Sequence, residues 1–396
     1  MKNIISDFRK LRVIIVTHEY ATGPTHALEK YLRGKVHKLA FIAHPFVFAG
    51  EKRSHMRFYK DKSTVSKEIF FPWYAPLQSI NIIKDVLMTL WWCIRFGPVD
   101  LYVGADNVNA CVGVILQKIG LVKITIFYTI DYIPHRFENP LFNSFYHFLD
   151  RFAVYNATIV WNLSAVMDRE RARAGMIAPA LRKKQIVVPM GTDNTVAPAP
   201  FDKMKRFHLA HMGHLTKKQG VQLVIEAIPF IVKRLPQFHF DVIGGGPMES
   251  VLRQRVNQLH INRFVTFYGF IENHDEVELL LAQCALSVAP YVDTPDNFVR
   301  YGNSGKLKAY LAVGLPIVLT KVPDVWKEIV DNKAGIAVAD TPEALAEGIV
   351  KLLSDEKRLR EYRENAVKLG QKYAWANVFT KAFTQTLRNV RRSCIT

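Results

Sequence analysis

"HLAHMGHLTKKQGVQLVIEAIPFI", residues 208 to 231, runs from an apolar stretch into a basic loop bearing Gly213 and Gly220, and then into a segment of helical period. Strand, loop and helix in that order make one βα unit, and the design recurs along the chain. Apolar runs closed by glycine or polar turns are RVIIV, KLAFIAH, DLYVGA, KITIFYTI, ATIVWNL and QIVVPMG in the first half. In the second half they are RFHLAHMG, FHFDVIGGG, RFVTFYGF, ALSVAPY and LPIVLT. Buried strands alternating with helices build parallel sheets covered on both faces. The expected fold class is α/β, with two Rossmann-like doubly wound domains facing a cleft.

A chain of 396 residues exceeds what one hydrophobic core usually supports, and 49% hydrophobic residues supply two. In "GTDNTVAPAPFDKMKR", residues 191 to 206, proline and alanine replace the apolar periodicity and mark a linker. The expected domains are residues 1–195, residues 196–375, and a C-terminal helix over 376–396 that packs back toward the N-terminal domain.

The net charge of +18 attracts phosphate-bearing partners, and residues 1–200 carry 26 basic against 15 acidic side chains. No helix-turn-helix or aromatic-basic platform accompanies it, so nucleic acid is not an expected partner. Four scattered cysteines, Cys93, Cys111, Cys284 and Cys394, have neither disulfide nor metal spacing and fit a reducing cytoplasm. The first apolar run is too short for a signal peptide, and no stretch is long enough to span a bilayer. "SINIIKDVLMTLWWCIRFG", residues 79 to 97, aligns Ile82, Ile83, Val86, Leu87, Leu90, Trp91 and Ile94. Two readings stay open for it: a crossover helix leaning on a sheet, or an interfacial membrane helix.

In open parallel sheets ligands bind beyond the carboxyl ends of the strands, so the loops there are the places to search. The first, "THEYATGPTHALEKYL", offers Gly23 in the turn and a helix opening near Thr25, with His18, Glu19 and His26 alongside. Its counterpart in the second half places Lys217 and Lys218 between Gly213 and Gly220, before a helix whose positive end suits a diphosphate. "DVIGGGPMESVL" carries Gly244 and Gly246, and "FVTFYGFIENHDEVELLLAQC" carries Gly269 and Phe270. "NSGKLKAYLAVGLP", residues 303 to 316, opens a helix at Ser304, Gly305 and Lys306. Several glycine-bearing turns at strand ends within one half suggest a nucleotide site, although turn chemistry accounts for any one of them alone.

Residues 207 to 320, with "MGHLTKKQG", "DVIGGGP", "FYGFIENHDEVELLLAQCALSVAPY" and "GKLKAYLAVGLPIV" in order, resemble the C-terminal domain of GT-B fold glycosyltransferases, most closely family 4, as a divergent member. "VVPMGTD" and "YTIDYIPHRF" resemble the family's domain-exit and acceptor loops. The resemblance implies retaining transfer of a sugar from a nucleoside diphosphate sugar, of UDP or GDP type, without a metal or other cofactor. It assigns the donor to Gly213, His214, Lys217, Lys218, Gly244, Gly246, Gly269, Phe270, Tyr301, Ser304, Gly305, Lys306 and Ala309. On the acceptor side it assigns Gly23 and Thr25 as loop residues, with Asp131, His135 and Asp106 as catalytic candidates. Asp131 matches the aspartate of the family's His-Asp pair; helix capping or pairing with Arg136 explains it equally.

The departures are specific. Where the family keeps an arginine and a lysine for the diphosphate, this chain has His214 and Gln219, and where it keeps two glutamates eight residues apart, Tyr301 and Ala309 stand. Losing a charge-assisted bond to a ribose costs about 1.5–3 kcal/mol. The expected function is a cytoplasmic glycosyltransferase, peripheral on the inner face of an anionic membrane, serving a lipid-linked or surface-polysaccharide acceptor. The alternative is a catalytically impaired protein of the same fold that binds a nucleotide sugar or a membrane-associated partner, with Ala309 merely packed and Lys306 and Lys308 solvated. A nucleotide-sugar epimerase is disfavoured by the long insertion at residues 44–74.

Overall fold

The structure, a computed structural model, describes residues 8–19, 23–46, 50–61, 64–75, 77–175 and 177–393. The chain divides into two compact units: Met1–Pro189 together with Val378–Thr396, and Met190–Asn377.

In the first unit the elements run β1 (Arg12–Glu19), α1 (Pro24–Leu32), β2 (Lys38–Pro45), β3 (Ser54–Lys60), β4 (Lys67–Phe71), α2 (Gln78–Phe96), β5 (Val99–Ala105) and α3 (Asn107–Lys118). They continue with β6 (Val122–Thr129), α4 (Pro140–Asn156), β7 (Ile159–Asn162), α5 (Ala165–Arg173) and β8 (Gln185–Val187). The sheet order is β4-β3-β2-β1-β5-β6-β7-β8. Pairing is parallel from β2 through β8, because the runs flanking β1 are apolar on both faces and helices cover both. Val13, Ile14, Ile15 and Val16 are all fully buried. β3 pairs antiparallel with both β2 and β4, a hairpin-like edge that lies in the segment read from sequence as an insertion.

The second unit contains β9 (Lys205–Met212), α6 (Val221–Val232), β10 (His239–Ile243), α7 (Glu249–Gln258), β11 (Val265–Gly269), α8 (His274–Ala282) and β12 (Cys284–Ala289). It continues with α9 (Gly305–Ala312), β13 (Ile317–Thr320), α10 (Trp326–Asp331), β14 (Gly335–Val338), α11 (Pro342–Leu353) and α12 (Glu356–Lys372), after which α13 spans Trp375–Ser393. Its parallel sheet has the order β11-β10-β9-β12-β13-β14. Leu209, Val242, Leu286 and Val318 lie at its centre, fully buried.

Each sheet reverses its winding once, between β1 and β5 in the first and between β9 and β12 in the second. Crossovers leave these pairs in opposite directions, which opens a crevice at the carboxyl ends of the two strands. Those two crevices hold the polar groups described below.

The crossover helix α2 packs Trp92, Cys93, Val86 and Leu90 against the sheet but turns much of its apolar stripe outward. Ile83, Leu87 and Ile94 are each 60% or more exposed, whereas Asn81, Lys84, Asp85 and Thr89 are buried along with Trp92 and Cys93. The reversal follows from charge. The Asp85 carboxylate lies 2.8 Å from Lys84 Nζ, 3.2 Å from His18 Nε2 and 3.2 Å from His44 Nδ1, all but removed from solvent, and this cluster holds the polar side of the helix against the sheet. Cys93, Cys111 and Cys284 are buried free thiols, and Cys394 lies outside the described residues.

Replacing Asp85 with asparagine leaves buried cations short of their counter-charge, which costs about 3–5 kcal/mol. Urea unfolding followed by circular dichroism should show the corresponding loss; a midpoint equal to that of the parent would rule out a central role for the cluster.

Candidate functional site

At the crevice of the second unit, β9 ends on Met212 and passes into Gly213, whose φ of 137° lies in the region that favours glycine. A side chain there would also meet Lys306, since an added Cβ would stand 3.2 Å from the Lys306 ammonium. Lys306, in the first turn of α9, donates to Gln219 Oε1 at 2.5 Å and sits 4.8 Å from the centre of the Tyr291 ring. Burial pushes its ammonium down to about 7. The Tyr291 hydroxyl in turn bonds the Ser304 hydroxyl at 2.7 Å, at the residue preceding α9. His211, one residue before the end of β9, is fully buried and neutral, its pKa held well below the ordinary value by burial and by Lys306. Gly213, Gln219, Tyr291, Ser304 and Lys306 thus converge on the start of α9.

The remaining candidates of this half divide. Gly220, at φ 78°, lets the backbone pass under Pro290, where an added Cβ would lie 1.7 Å from the carbonyl oxygen. Gly244 and Gly246 serve the joining of loops: a Cβ on Gly244 would strike the Gly213 carbonyl, and one on Gly246 the backbone of Leu215. The Gly244 amide is already bonded to the Gly269 carbonyl at 2.8 Å. Lys218 is engaged by Asp296 at 2.7 Å, while Lys217 and His214 are exposed. Phe270 is 81% exposed, Tyr301 is half-buried, and Ala309 is packed inside α9. The solvated reading of Lys306 and Lys308 is corrected. Lys308 is fully buried over the Tyr373 ring, its ammonium has no hydrogen-bond partner, and burial lowers its pKa to about 7 against the pull of Glu328 and Asp324.

At the crevice of the first unit, His18 stands one residue before the end of β1 and Asp106 follows β5. His18 Nδ1 lies 2.8 Å from Asp106 Oδ2, and its Nε2 bonds Asp85. Burial works against charge on His18, but the two carboxylates outweigh it and raise the pKa to about 10, so both ring nitrogens carry protons and donate. Asp106 adopts φ 76°, uncommon for a residue with a side chain, and caps α3 by accepting from Asn109 N at 3.0 Å. Asn109 Nδ2 adds a bond to Asp106 Oδ2 at 2.7 Å, which leaves the carboxylate oriented and 30% exposed. Behind it, His44 is neutral because burial lowers its pKa, and it links Ser54 and Thr89.

Asp131 pairs with Arg136 at 2.5 Å, the pairing that sequence reading left open, and its side chain is 54% exposed. Burial lowers the pKa of Arg136, but Asp131, and after it Tyr146 and Asp106, raise it more, so the guanidinium stays charged. His135 is exposed in the same loop. The turn-glycine reading of Gly23 is corrected, since its backbone is extended at φ −152° and an added Cβ would meet nothing within 4 Å. Thr25 is buried against Thr17 rather than offered to a ligand. Among the described residues, no three His, Cys, Asp or Glu side chains stand together in a metal-holding arrangement.

Residues 206–355 match the model of the family described as glycosyl transferases group 1. The matched residues run from β9 through α11. A glycosyltransferase of Methanocaldococcus jannaschii, MJ1607, named as uncharacterized, is 31% identical over 170 residues, which cover 42% of this chain and 41% of that protein. The amylovoran biosynthesis glycosyltransferase AmsK of Erwinia amylovora is 25% identical over 146 residues, 37% of this chain and 35% of its own. The matched region therefore spans less than half the length of these curated relatives. In fold, the chain is similar over 96% of its length to all of Anabaena Alr3699/HepE, solved in complex with UDP, at TM-score 0.70 and 15% identity. The two-unit α/β architecture is thus that of GT-B glycosyltransferases.

Within the matched residues, those that sequence reading missed are Tyr291 and His211. Neither carries a motif of its own, and each becomes legible only once β9 and β12 are known to be neighbours; Gln219 was read only as the residue standing where the family keeps a lysine, and its bond to Lys306 was not. In the first unit the corresponding omission is the strength of the His18–Asp106 pair, whose partners lie 88 residues apart.

The sign of the His18 shift gives a pH test. Its folded pKa is raised above 6.5, so its contribution to stability is complete below pH 6.5 and is lost as pH rises through about 10. The stability difference between the parent and a His18→Gln variant, measured by urea unfolding, should narrow over that window by up to about 1.4 kcal/mol per pH unit. A difference constant with pH would mean that His18 is not held charged.

Proposed function

We propose that the chain is a glycosyltransferase that moves a sugar from a nucleoside diphosphate sugar to an acceptor hydroxyl. The observation that carries the reading is Lys306: an ammonium held at a helix start, beside the Gly213 backbone, in the crevice of the unit that matches group 1 glycosyl transferases and with no carboxylate to neutralise it among the described residues. An anion placed there would meet the charge, the free amides of the first turn of α9 and the Ser304 hydroxyl together. In the reaction the C1–O bond to the diphosphate breaks and a bond from C1 to the acceptor oxygen forms. Lys306 would stabilise the negative charge that develops on the departing diphosphate. On the first unit, taken by itself, Asp106, oriented by His18 and Asn109, is suited to accept a hydrogen bond from a hydroxyl.

UDP is favoured as the nucleotide because Anabaena Alr3699/HepE has also been solved with UDP-glucose. Transfer with retention follows the resemblance to family 4. The acceptor fits a lipid-linked or surface-polysaccharide glycan, in keeping with the biosynthetic naming of AmsK and with the basic first half of the chain.

Calorimetric titration of UDP, GDP and ADP tests the donor site. UDP should bind, and Lys306→Met should weaken it by about one to two decades, as expected for loss of a charge-assisted bond. Ala309→Glu should tighten it by supplying a partner for the ribose hydroxyls. If no nucleotide binds to the folded protein, the donor reading fails. Because the free ammonium titrates near 7, only its charged form suits a diphosphate, and affinity should fall on the order of 20-fold between pH 6.5 and 8.5. A Lys306→Arg variant, charged throughout, should show no such fall; equal slopes would remove Lys306 from contact with the phosphates. Incubation with UDP-sugars and detection of released UDP then distinguishes a transferase from a protein that only binds.

A further inference from the structure

The helices α2, α3 and α4 lie side by side: α3 and α4 each join a strand to its parallel neighbour, α2 crosses from the edge strand β4 to β5, and α3 packs against both of the others. Their outer surface is apolar. On α2, Ile80, Ile83, Leu87, Trp91 and Ile94 recur at helical spacing and are 40%, 62%, 60%, 43% and 60% exposed. On α4, Leu141, Phe142, Phe145 and Phe148 are 79%, 63%, 60% and 63% exposed, and Ile115 and Ile119 lie between them at the end of α3. Isolated surface hydrophobes need no explanation, but a run of this length across neighbouring helices marks an interaction surface.

The charge on this face selects the partner. The three helices contain two acidic residues, Asp85 and Asp150; both are buried, the first in the His18–Lys84 cluster and the second against Arg171 at 2.7 Å. The outer surface of these helices therefore carries no negative charge. Arg95, Lys118 and Arg151, all in the C-terminal portions of their helices, are exposed and lie over the rings of Trp91, Phe152 and Tyr155. Between α2 and the β2–β4 edge a groove of about 460 Å³ is walled by Trp91, Phe96 and Ile69 and rimmed by Lys38, Lys67 and Arg95, with no acidic side chain in its lining. Aromatic and aliphatic side chains at the centre, with cations beside aromatic rings at the margin, match the boundary between acyl chains and anionic headgroups. No helix of the described residues is long and apolar enough to cross a membrane, so such a surface lies on a bilayer rather than through it.

We propose that the outer face of α2, α3 and α4 docks the protein on the surface of an anionic phospholipid bilayer. The assignment rests on the proposed transfer to a lipid-linked acceptor only for its biological use; its geometry stands apart from the donor site.

Co-sedimentation of the full chain with large vesicles of phosphatidylcholine, alone or mixed with phosphatidylglycerol, tests it. Binding is expected to the mixed vesicles at 0.1 M salt or below, decreasing as salt rises. The double variant Leu87→Ser/Ile94→Ser should bind at least about tenfold less, given the apolar area withdrawn from the interface. Arg95→Glu/Lys118→Glu should lose the preference for phosphatidylglycerol. Both variants replace exposed side chains, and their UDP titration should match that of the parent, so a failure of the donor reading is told apart from a failure of docking. No vesicle binding by the parent, or equal binding by the Leu87→Ser/Ile94→Ser variant, overturns the proposal. So does elution of the parent as a dimer that the same substitutions dissolve, an outcome that gives the face to a second copy of the chain.

Discussion

A carboxylate shut away from water must be met by cations and hydrogen bonds, and the first unit is arranged around the way Asp85 meets that demand. Its oxygens face Lys84, His18 and His44 at once. Because Lys84 and Asp85 belong to α2, the helix must turn these polar residues to the sheet beside Trp92 and Cys93, and Ile83, Leu87, Trp91 and Ile94 are left outside. Because His18 stands one residue before the end of β1, the same pairing fixes an imidazolium at the carboxyl edge of the sheet. The second nitrogen of that imidazolium then holds Asp106 in a backbone conformation that few aspartates adopt. The outward apolar face and the oriented acceptor-side carboxylate are two consequences of one buried charge.

The second unit resolves its buried charge differently. In the first unit cations and carboxylates alternate: Lys84, Asp85, His18 and Asp106 form a chain in which each charge meets one of opposite sign. Lys306 and Lys308 have no such chain. Lys306 has an amide oxygen and an aromatic ring, Lys308 has a ring and only the weaker pull of Glu328 and Asp324, and burial lowers the pKa of both to about 7. An ammonium left in that state is destabilised until an anion arrives, and binding an anion returns the proton affinity that burial removed. The crevice between β9 and β12 is therefore electrostatically incomplete in a way that favours a phosphate group, which the crevice between β1 and β5 is not.

Most of the architecture was legible in the sequence because parallel strands buried on both faces read as continuous apolar runs. Eleven such runs became strands, and the linker near residue 190 separated the two units. The strands β3, β4 and β14 were missed, since "HMRFYK" and "KEIFF" mix charged and aromatic residues as half-exposed edge strands do. The glycine loops were found for a partly mistaken reason. Gly213 does make room for Lys306, but Gly244 and Gly246 allow one loop backbone to rest on another, and a local pattern cannot tell these uses apart. The orientation of α2 was illegible because it depends on His18 and His44, which lie roughly 40 to 65 residues upstream of Lys84 and Asp85 in the chain. A hydrophobic stripe announces that a helix has two sides; which side is buried depends on what the opposing sheet offers.

Ala309 lies one helical turn from Lys306 on α9, packed and without a polar group, at the place where the resemblance to family 4 puts a ribose-binding glutamate. Under the proposed reading, the nucleotide is then gripped chiefly at its diphosphate, by charge, and only weakly at its ribose. A grip of that kind holds the leaving group where negative charge develops while leaving the nucleoside loosely specified, so it favours the transition state more than it favours the bound donor. Under that reading the missing glutamate lowers donor affinity, while Lys306 would still carry the stabilisation of the leaving group.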